Sequence, residues 1–211
     1  MPRKGNGLVA TRKLLPGELI LEEIPLLEAD TKDFLSETYV ASALAQLSNT
    51  KRKKFKRLHN AFPELSDIGI LKTNCYALGC TGTRSGVFDK LSHINHSCTP
   101  NADRWWDPEQ GLETLYVIRE IQEGQEITVA YTWCSVKTYE ERQDYLLAGW
   151  RFKCCCECCE LTGKERALSD KYRRLIAKVD GMVGFHEPRK LIPLIKMALD
   201  CCAKEMVFGA N

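Results

Sequence analysis

The chain has 211 residues, 44% of them hydrophobic, with 30 Lys and Arg set against 28 Asp and Glu. That length suits one compact domain with a small appendage at most, and the apolar share is enough for a core. A net charge of +2 excludes a global field of the kind that draws a protein to nucleic acid or to a membrane surface, and no apolar run is long enough to span a bilayer.

In chain order, Leu8–Thr11 reads as a short strand, Pro16-Gly17 as a turn and Leu19–Leu21 as a second strand, which Pro25 ends. From residue 31 the period changes: Phe34, Leu35, Tyr39, Leu44 and Leu47 recur at helical spacing. The basic run Lys51–Arg57 follows. Because the rest of the chain is nearly charge-balanced, a solvated helix face or loop is favoured there over a nucleic-acid or nuclear-targeting patch. Gly79–Gly86 is rich in Gly, Thr and Ser and reads as a loop, and Leu91–Asn101 as irregular, with Pro100 barring a long helix. Leu115–Ile118 and Ile127–Tyr131 are expected strands around a Glu123-Gly124 turn, the second ending in tyrosine. Tyr139–Gly149 is expected to be a helix capped by its glycine. Two tail helices are expected, one over Ala167–Val179 and one from Pro188 carrying Leu191, Ile192, Leu194, Ile195 and Leu199. The class is α+β with a mostly β core.

The cysteines carry more information than the composition. There are 11, and five of them fall between Cys154 and Cys159. Met1-Pro2-Arg3-Lys4 leads into Gly5-Asn6-Gly7 with no apolar stretch of the secretory kind, so a nuclear or cytosolic setting with reduced thiols is expected. Clustered cysteines there read as metal ligands. Cys154-x-Cys156-x-x-Cys159 offers three thiolates, and zinc takes four in a tetrahedron. Adjacent residues cannot all point inward, so the fourth ligand is expected from elsewhere. Cys98, in a polar and turn-rich loop, is the best donor. Cys155 and Cys158 form a competing Cys-x-x-Cys pair, while Cys75 and Cys80 read as small buried hydrophobes. The expectation is one structural zinc.

Four features stand in order: Gly5-Asn6-Gly7, Asn95-His96-Ser97-Cys98-x-Pro100-Asn101, Glu126–Tyr131, and Phe152-x-Cys154-x-Cys156-x-x-Cys159. Over roughly residues 5 to 160 this pattern resembles the SET-domain protein lysine methyltransferases, in particular the SMYD-like branch. The resemblance implies a SET fold of several small sheets and S-adenosylmethionine as methyl donor. It implies that Asn6, Gly7, Asn95 and His96 hold the cofactor, that Asn74 and Ser92 contact its methionine end, and that Phe152 stacks on its adenine. Tyr131 takes the position of the catalytic tyrosine. Tyr76 and Trp150 would join Tyr131 as walls of a lysine channel, and Cys98, Cys154, Cys156 and Cys159 would be the metal ligands.

Two departures from the resemblance stand out. Trp150 occupies a position where a tyrosine is usual, which bears on how many methyl groups the channel admits. The segment from Thr31 to Thr73 has no cysteine and a single histidine, His59, so it cannot form the MYND zinc finger of the SMYD proteins. The expected organisation is an N-terminal SET part (1–30), a helical insertion (31–73), a C-terminal SET part (74–150), a zinc-binding segment (151–162) and a helical tail (163–211). The expected activity is lysine methylation of histone or non-histone proteins by a monomer, with no membrane or specific nucleic-acid partner. Two alternatives are a catalytically silent SET domain acting as a binding module, and a zinc-dependent nucleic-acid binder using Lys51–Arg57.

Overall fold

Three small sheets organise the chain in a computed structural model that describes residues 5–79, 82–182 and 188–205. Strand β1 (Leu8–Val9) is followed by β2 (Leu19–Glu23) and β3 (Leu27–Asp30). The helices α1 (Glu37–Gln46), α2 (Asn49–Lys56) and α3 (Ser66–Asn74) come next, then β4 (Tyr76–Leu78), β5 (Arg84–Val87), β6 (Asn95–His96), β7 (Ala102–Asp107), β8 (Leu112–Val117) and β9 (Glu126–Val129). The chain then runs through α4 (Tyr139–Trp150), α5 (Glu157–Glu160), α6 (Gly163–Asp180) and α7 (Pro188–Lys204). The sheet orders are β1-β9-β6, β2-β8-β7 and β3-β5-β4. This is the α+β arrangement expected, with the helices concentrated in the insertion and the tail.

Contacts divide the described residues into two compact units. The first holds the residues up to Asn95 together with Arg104–Ile127, and the second holds His96–Asp103 together with Thr128 onward. β9 crosses from one to the other. Leu8 pairs with Ile127 in the first, and Ser97 N–H donates to Val129 O at 3.0 Å in the second.

In the first unit the insertion is built around an apolar cluster of Phe34, Val40, Leu44, Phe55, Leu58, Ile70, Leu71 and Val87. Serine hydroxyls start α1 and α2, Ser36 accepting from Tyr39 N–H and Ser48 from Lys51 N–H. Gly69 is required within α3: a Cβ there would collide with the backbone carbonyl of Phe62. The basic run lies on α2 and is largely engaged inside the chain. Arg52 donates to Leu44, Ala45 and Leu47 carbonyls at 2.9, 2.8 and 3.1 Å, which satisfies the C-terminal end of α1. Lys51 reaches Pro25 O, Lys54 pairs with Asp89 at 2.7 Å, and Lys56 pairs with Asp67. Phe55, in the middle of the run, is fully buried.

Several expectations need correction. Part of the expected loop Gly79–Gly86 is strand: Arg84–Val87 is the centre of its sheet, with β3 and β4 on either side. Its small residues reflect packing, because a Cβ on Gly86 would lie 3.2 Å from Leu78. Cys80 and Thr81 lie outside the described residues, so the reading of Cys80 goes untested, whereas Cys75 packs half-buried against the insertion core. The expected strand over Ile127–Tyr131 stops at Val129. The helix expected to end at Gly149 continues to Trp150 and is capped by Arg151 in the left-handed region, at φ 58°. The strands β3, β4 and β7 had no counterpart in the sequence reading, and Asn95–His96, inside the stretch expected to be irregular, is strand β6. Among the described residues, no helix is long and apolar enough to cross a membrane.

Candidate active site and metal centre

The segment Asn95–Asn101 is a series of anchors. Asn95 donates from its amide to Asn6 O at 3.1 Å and to the Glu126 carboxylate at 2.7 Å, so its side chain fixes the Gly5-Asn6-Gly7 turn. Ser97 Oγ accepts from Thr99 N–H at 3.1 Å, tightening the bend that carries Cys98. Asn101 closes the segment by accepting from Thr128 N–H at 2.8 Å. Pro100 follows the bend and has no N–H that would need an acceptor.

Cys98 is fully buried, and its Sγ lies with those of Cys154, Cys156 and Cys159 in a group whose sulfurs are all within 4.8 Å of one another. Cys98 Sγ is 3.9 Å from Cys154 Sγ and 3.5 Å from Cys159 Sγ. Four sulfurs around zinc at ~2.3 Å stand ~3.8 Å apart, so the donor set fits a tetrahedral ion. Packed together, these thiols perturb one another: contact with Cys154 holds the Cys156 thiol far below its ordinary range, and contact with Cys134 pushes Cys98 far above it. Cys155 lies outside the group. Gln143 clamps the backbone of Cys154, donating to its carbonyl and accepting from its N–H, both at 2.9 Å.

Aromatic side chains pack on this sulfur cluster: Tyr131, Tyr139, Trp150 and Phe152, all partly buried. The Tyr131 ring is 5.3 Å from Trp150, 6.4 Å and edge-on from Phe152, and 5.3 Å from His96. Tyr131, Trp150, Phe152 and His96 are thus brought together with the four cysteines inside the second unit.

The other expected site residues belong to the first unit. Asn6 is exposed and Gly7 half-buried beside β1. Asn74 is buried and gives its amide hydrogens to His59 O and Ile70 O, both at 2.7 Å. Ser92 Oγ donates to Asn74 O and accepts from Phe88 N–H, each at 3.3 Å, so these two expected residues are neighbours. Three consecutive N–H groups, Asp89 to Leu91, converge on the Glu23 carboxylate at 3.0 Å and hold the loop that leads to Ser92. Tyr76 donates its phenol to Leu91 O at 3.1 Å with the Arg104 guanidinium over its ring at 3.9 Å.

The sequence reading missed the polar surroundings of the sulfurs. Arg142 and Arg173 are buried to 1% and 0% exposure. Arg142 donates to Lys137 O at 2.7 Å and to the sulfurs of Cys158 and Cys159 at 3.3 and 3.9 Å. Burial opposes its charge, but the sulfurs of Cys98, Cys158 and Cys159 outweigh that and hold the guanidinium above the usual arginine range. Arg173 reaches Cys158 Sγ at 3.2 Å, the Glu205 carboxylate at 3.1 Å and the carbonyl of Cys134. Nothing in the spacing marks Arg142, which sits in α4 as an ordinary charged helix residue. Cys134 stands alone in the sequence, yet its sulfur joins His96 and Cys98 in a second buried group.

Comparison with known proteins points to one family. The SET-domain family model matches residues 5–132. The histone-lysine N-methyltransferase set5 of Schizosaccharomyces pombe is 31% identical over 99% of this chain, which spans 65% of that protein's length. Mouse histone-lysine N-methyltransferase SMYD3 is 34% identical over 38% of the chain and 18% of its own length. Histone-lysine N-methyltransferase ASHR2 of Arabidopsis thaliana is 35% identical over 36% of the chain and 20% of its own length. With more than half its residues inside the family model and the Asn95–Asn101 anchors in place, the chain belongs to the SET-domain family.

Proposed function

We propose that this chain transfers methyl groups from S-adenosylmethionine to lysine side chains of proteins, histones among them. The observation that carries the reading is the mounting of Tyr131, Trp150 and Phe152 on one buried four-sulfur cluster. The names of the relatives, histone-lysine N-methyltransferases, point the same way. A nuclear or cytosolic setting and a monomeric state belong to the same reading.

Bound S-adenosylmethionine would supply the methyl group, and bound zinc a fixed tetrahedral point without reactivity, since a site closed by four cysteines leaves no open position. The remaining work falls to side chains. A lysine amine in water ordinarily titrates at ~10.4 and so is charged at neutral pH. Aromatic walls from Trp150 and Tyr131, joined in this reading by Tyr76, disfavour the cation by desolvation, and so would the sulfonium charge of the donor. The proton leaves to water, and the Tyr131 hydroxyl orients the neutral amine. Alignment is the main contribution. Asn6 and Gly7 would hold the cofactor through an open backbone, Asn74, Ser92, Asn95 and His96 would line it, and Phe152 offers a half-buried face for adenine. Cys98, Cys154, Cys156 and Cys159 would hold the zinc.

Labelled-methyl transfer onto histones and a cell lysate tests this. Transfer is expected from the wild type and is expected to fall by about 10² or more in Tyr131→Phe. Transfer undiminished in Tyr131→Phe overturns the mechanism. Cofactor binding with no transfer to any protein favours the silent binding module, for which the tryptophan at position 150 is the one argument.

A further inference from the structure

We infer that His96 is a positioning residue: its imidazole ties the catalytic Tyr131 to the metal-binding thiolate of Cys98. The inference rests on the methyltransferase reading for the role of Tyr131 and on the four-cysteine reading for that of Cys98.

Tyr131 has a positioning problem that the sheet does not solve. The last ladder bond in this region runs from Ser97 N–H to Val129 O, and β9 ends at Val129. Tyr131 lies two residues beyond, where its N–H has no strand to pair with. That N–H donates to His96 Nδ1 at 3.0 Å. The imidazole stands in for the missing strand.

The same bond sets the tautomer. A ring nitrogen that accepts a hydrogen bond carries no hydrogen, so the single N–H of the neutral ring is on Nε2. Nε2 lies 3.3 Å from Cys98 Sγ and 3.7 Å from Cys134 Sγ. A metal-bound thiolate has no S–H and accepts from such a donor, the arrangement by which groups outside the ligand set orient a ligand. Both ring nitrogens are therefore committed within the protein, and the side chain is 3% exposed. The Cys98 sulfur, which would be fixed by a bound metal, orients the ring through Nε2, and the ring holds the Tyr131 backbone through Nδ1. Any cofactor contact at this position then belongs to the main chain.

Two substitutions separate the two ends. Asparagine places its oxygen near the Nδ1 position and has nothing at Nε2; glutamine places its amide nitrogen near Nε2 and has nothing at Nδ1. In His96→Gln the zinc-loaded protein is expected to release metal to a chelator at the wild-type rate, to lose hydrogen-exchange protection at the Tyr131 amide, and to lose kcat with little change in KM for S-adenosylmethionine. In His96→Asn the Tyr131 amide is expected to stay protected while zinc release accelerates by about 10–100-fold. A merely structural histidine would make both variants fail alike in both readouts, and that result overturns the inference.

The ring nitrogens of zinc-loaded wild-type protein decide the matter even if neither variant folds. Nitrogen-15 shifts are expected to show Nε2 protonated and Nδ1 unprotonated, and the reverse tautomer or a doubly protonated ring overturns the proposal. None of these readouts except kcat needs turnover. A wild type that transfers no methyl group but shows this ring state and this split would sink the methyltransferase reading and keep the tether.

Discussion

Two buried clusters of this protein are held by different forces. Beneath the insertion, Phe34, Val40, Leu44, Phe55 and Leu71 exclude water from an apolar cluster, and the attraction is non-directional and scales with area. Around Cys98, the interior contains sulfurs, two buried guanidinium groups and the His96 imidazole. Burying such groups is unfavourable unless each finds a partner. In the reading proposed above, a closed four-thiolate zinc site would carry roughly two net negative charges, a partner for the buried guanidinium of Arg142. The first cluster should therefore respond to changes in volume, and the second to anything that disturbs metal or charge.

The largest expected effect is on the second cluster. Cys154→Ser should abolish zinc binding and release the hydrogen-exchange protection of α4, α5 and α6, because metal-binding free energy in small structural sites, ~10–16 kcal/mol, is folding free energy. The amides of α1 and α3 should keep their protection. Loss of protection spread evenly over both units would break the comparison.

Next comes Phe55→Ala, which should lower stability to denaturant by about 3–5 kcal/mol while the folded protein keeps its full zinc content by metal analysis. Arg142→Gln should act in the opposite sense. Its effect on the denaturant midpoint should be smaller than its effect on the metal, with zinc passing to a chelator about 10–100-fold faster. Arg142→Lys should restore part of that loss, because it returns the charge without the fork that spans Lys137 O and two sulfurs.

The difference between the clusters also explains what could be read from the sequence. That Cys154, Cys156 and Cys159 gather was legible because they are near neighbours in the chain, and that Cys98 joins them was legible from its polar, turn-rich loop. Arg142, Arg173 and Cys134 were not, since they reach the sulfurs only through the packing of α4 and α6, and no spacing records that. His96 was seen as a site residue, but its two bonds join positions 35 and two residues away and could not be foreseen. Strand β5 was hidden for another reason. Gly86 is small because the Leu78 and Phe88 side chains pack over it, and Ser85 meets the Thr31 hydroxyl at 2.8 Å, but a run of small residues looks like a loop. The insertion was legible as helical from its period, whereas the use of Arg52 to cap α1 emerged only from the fold.

The smallest effect tests whether the apolar unit contains a polar weakness of its own. Tyr76 donates its phenol to Leu91 O, and burial pushes its pKa up to about 12, with Arg104 and other neighbours contributing less. Tyr76→Phe removes that bond and should cost about 1 kcal/mol at pH 8. The folded value lies above the unfolded value of ~10, so the contribution of Tyr76 is complete below pH ~10 and is lost as pH rises toward 12. Phenylalanine has no proton to lose. Ionising the phenol costs ~1.4 kcal/mol for each pH unit of that range, more in all than the bond contributes, so the denaturant midpoint of the wild type should fall to that of Tyr76→Phe and then below it, while zinc release stays the same in both. A gap that remains constant through that range would mean that the phenol is not held neutral by the fold, and that the first unit lacks this titrating contact.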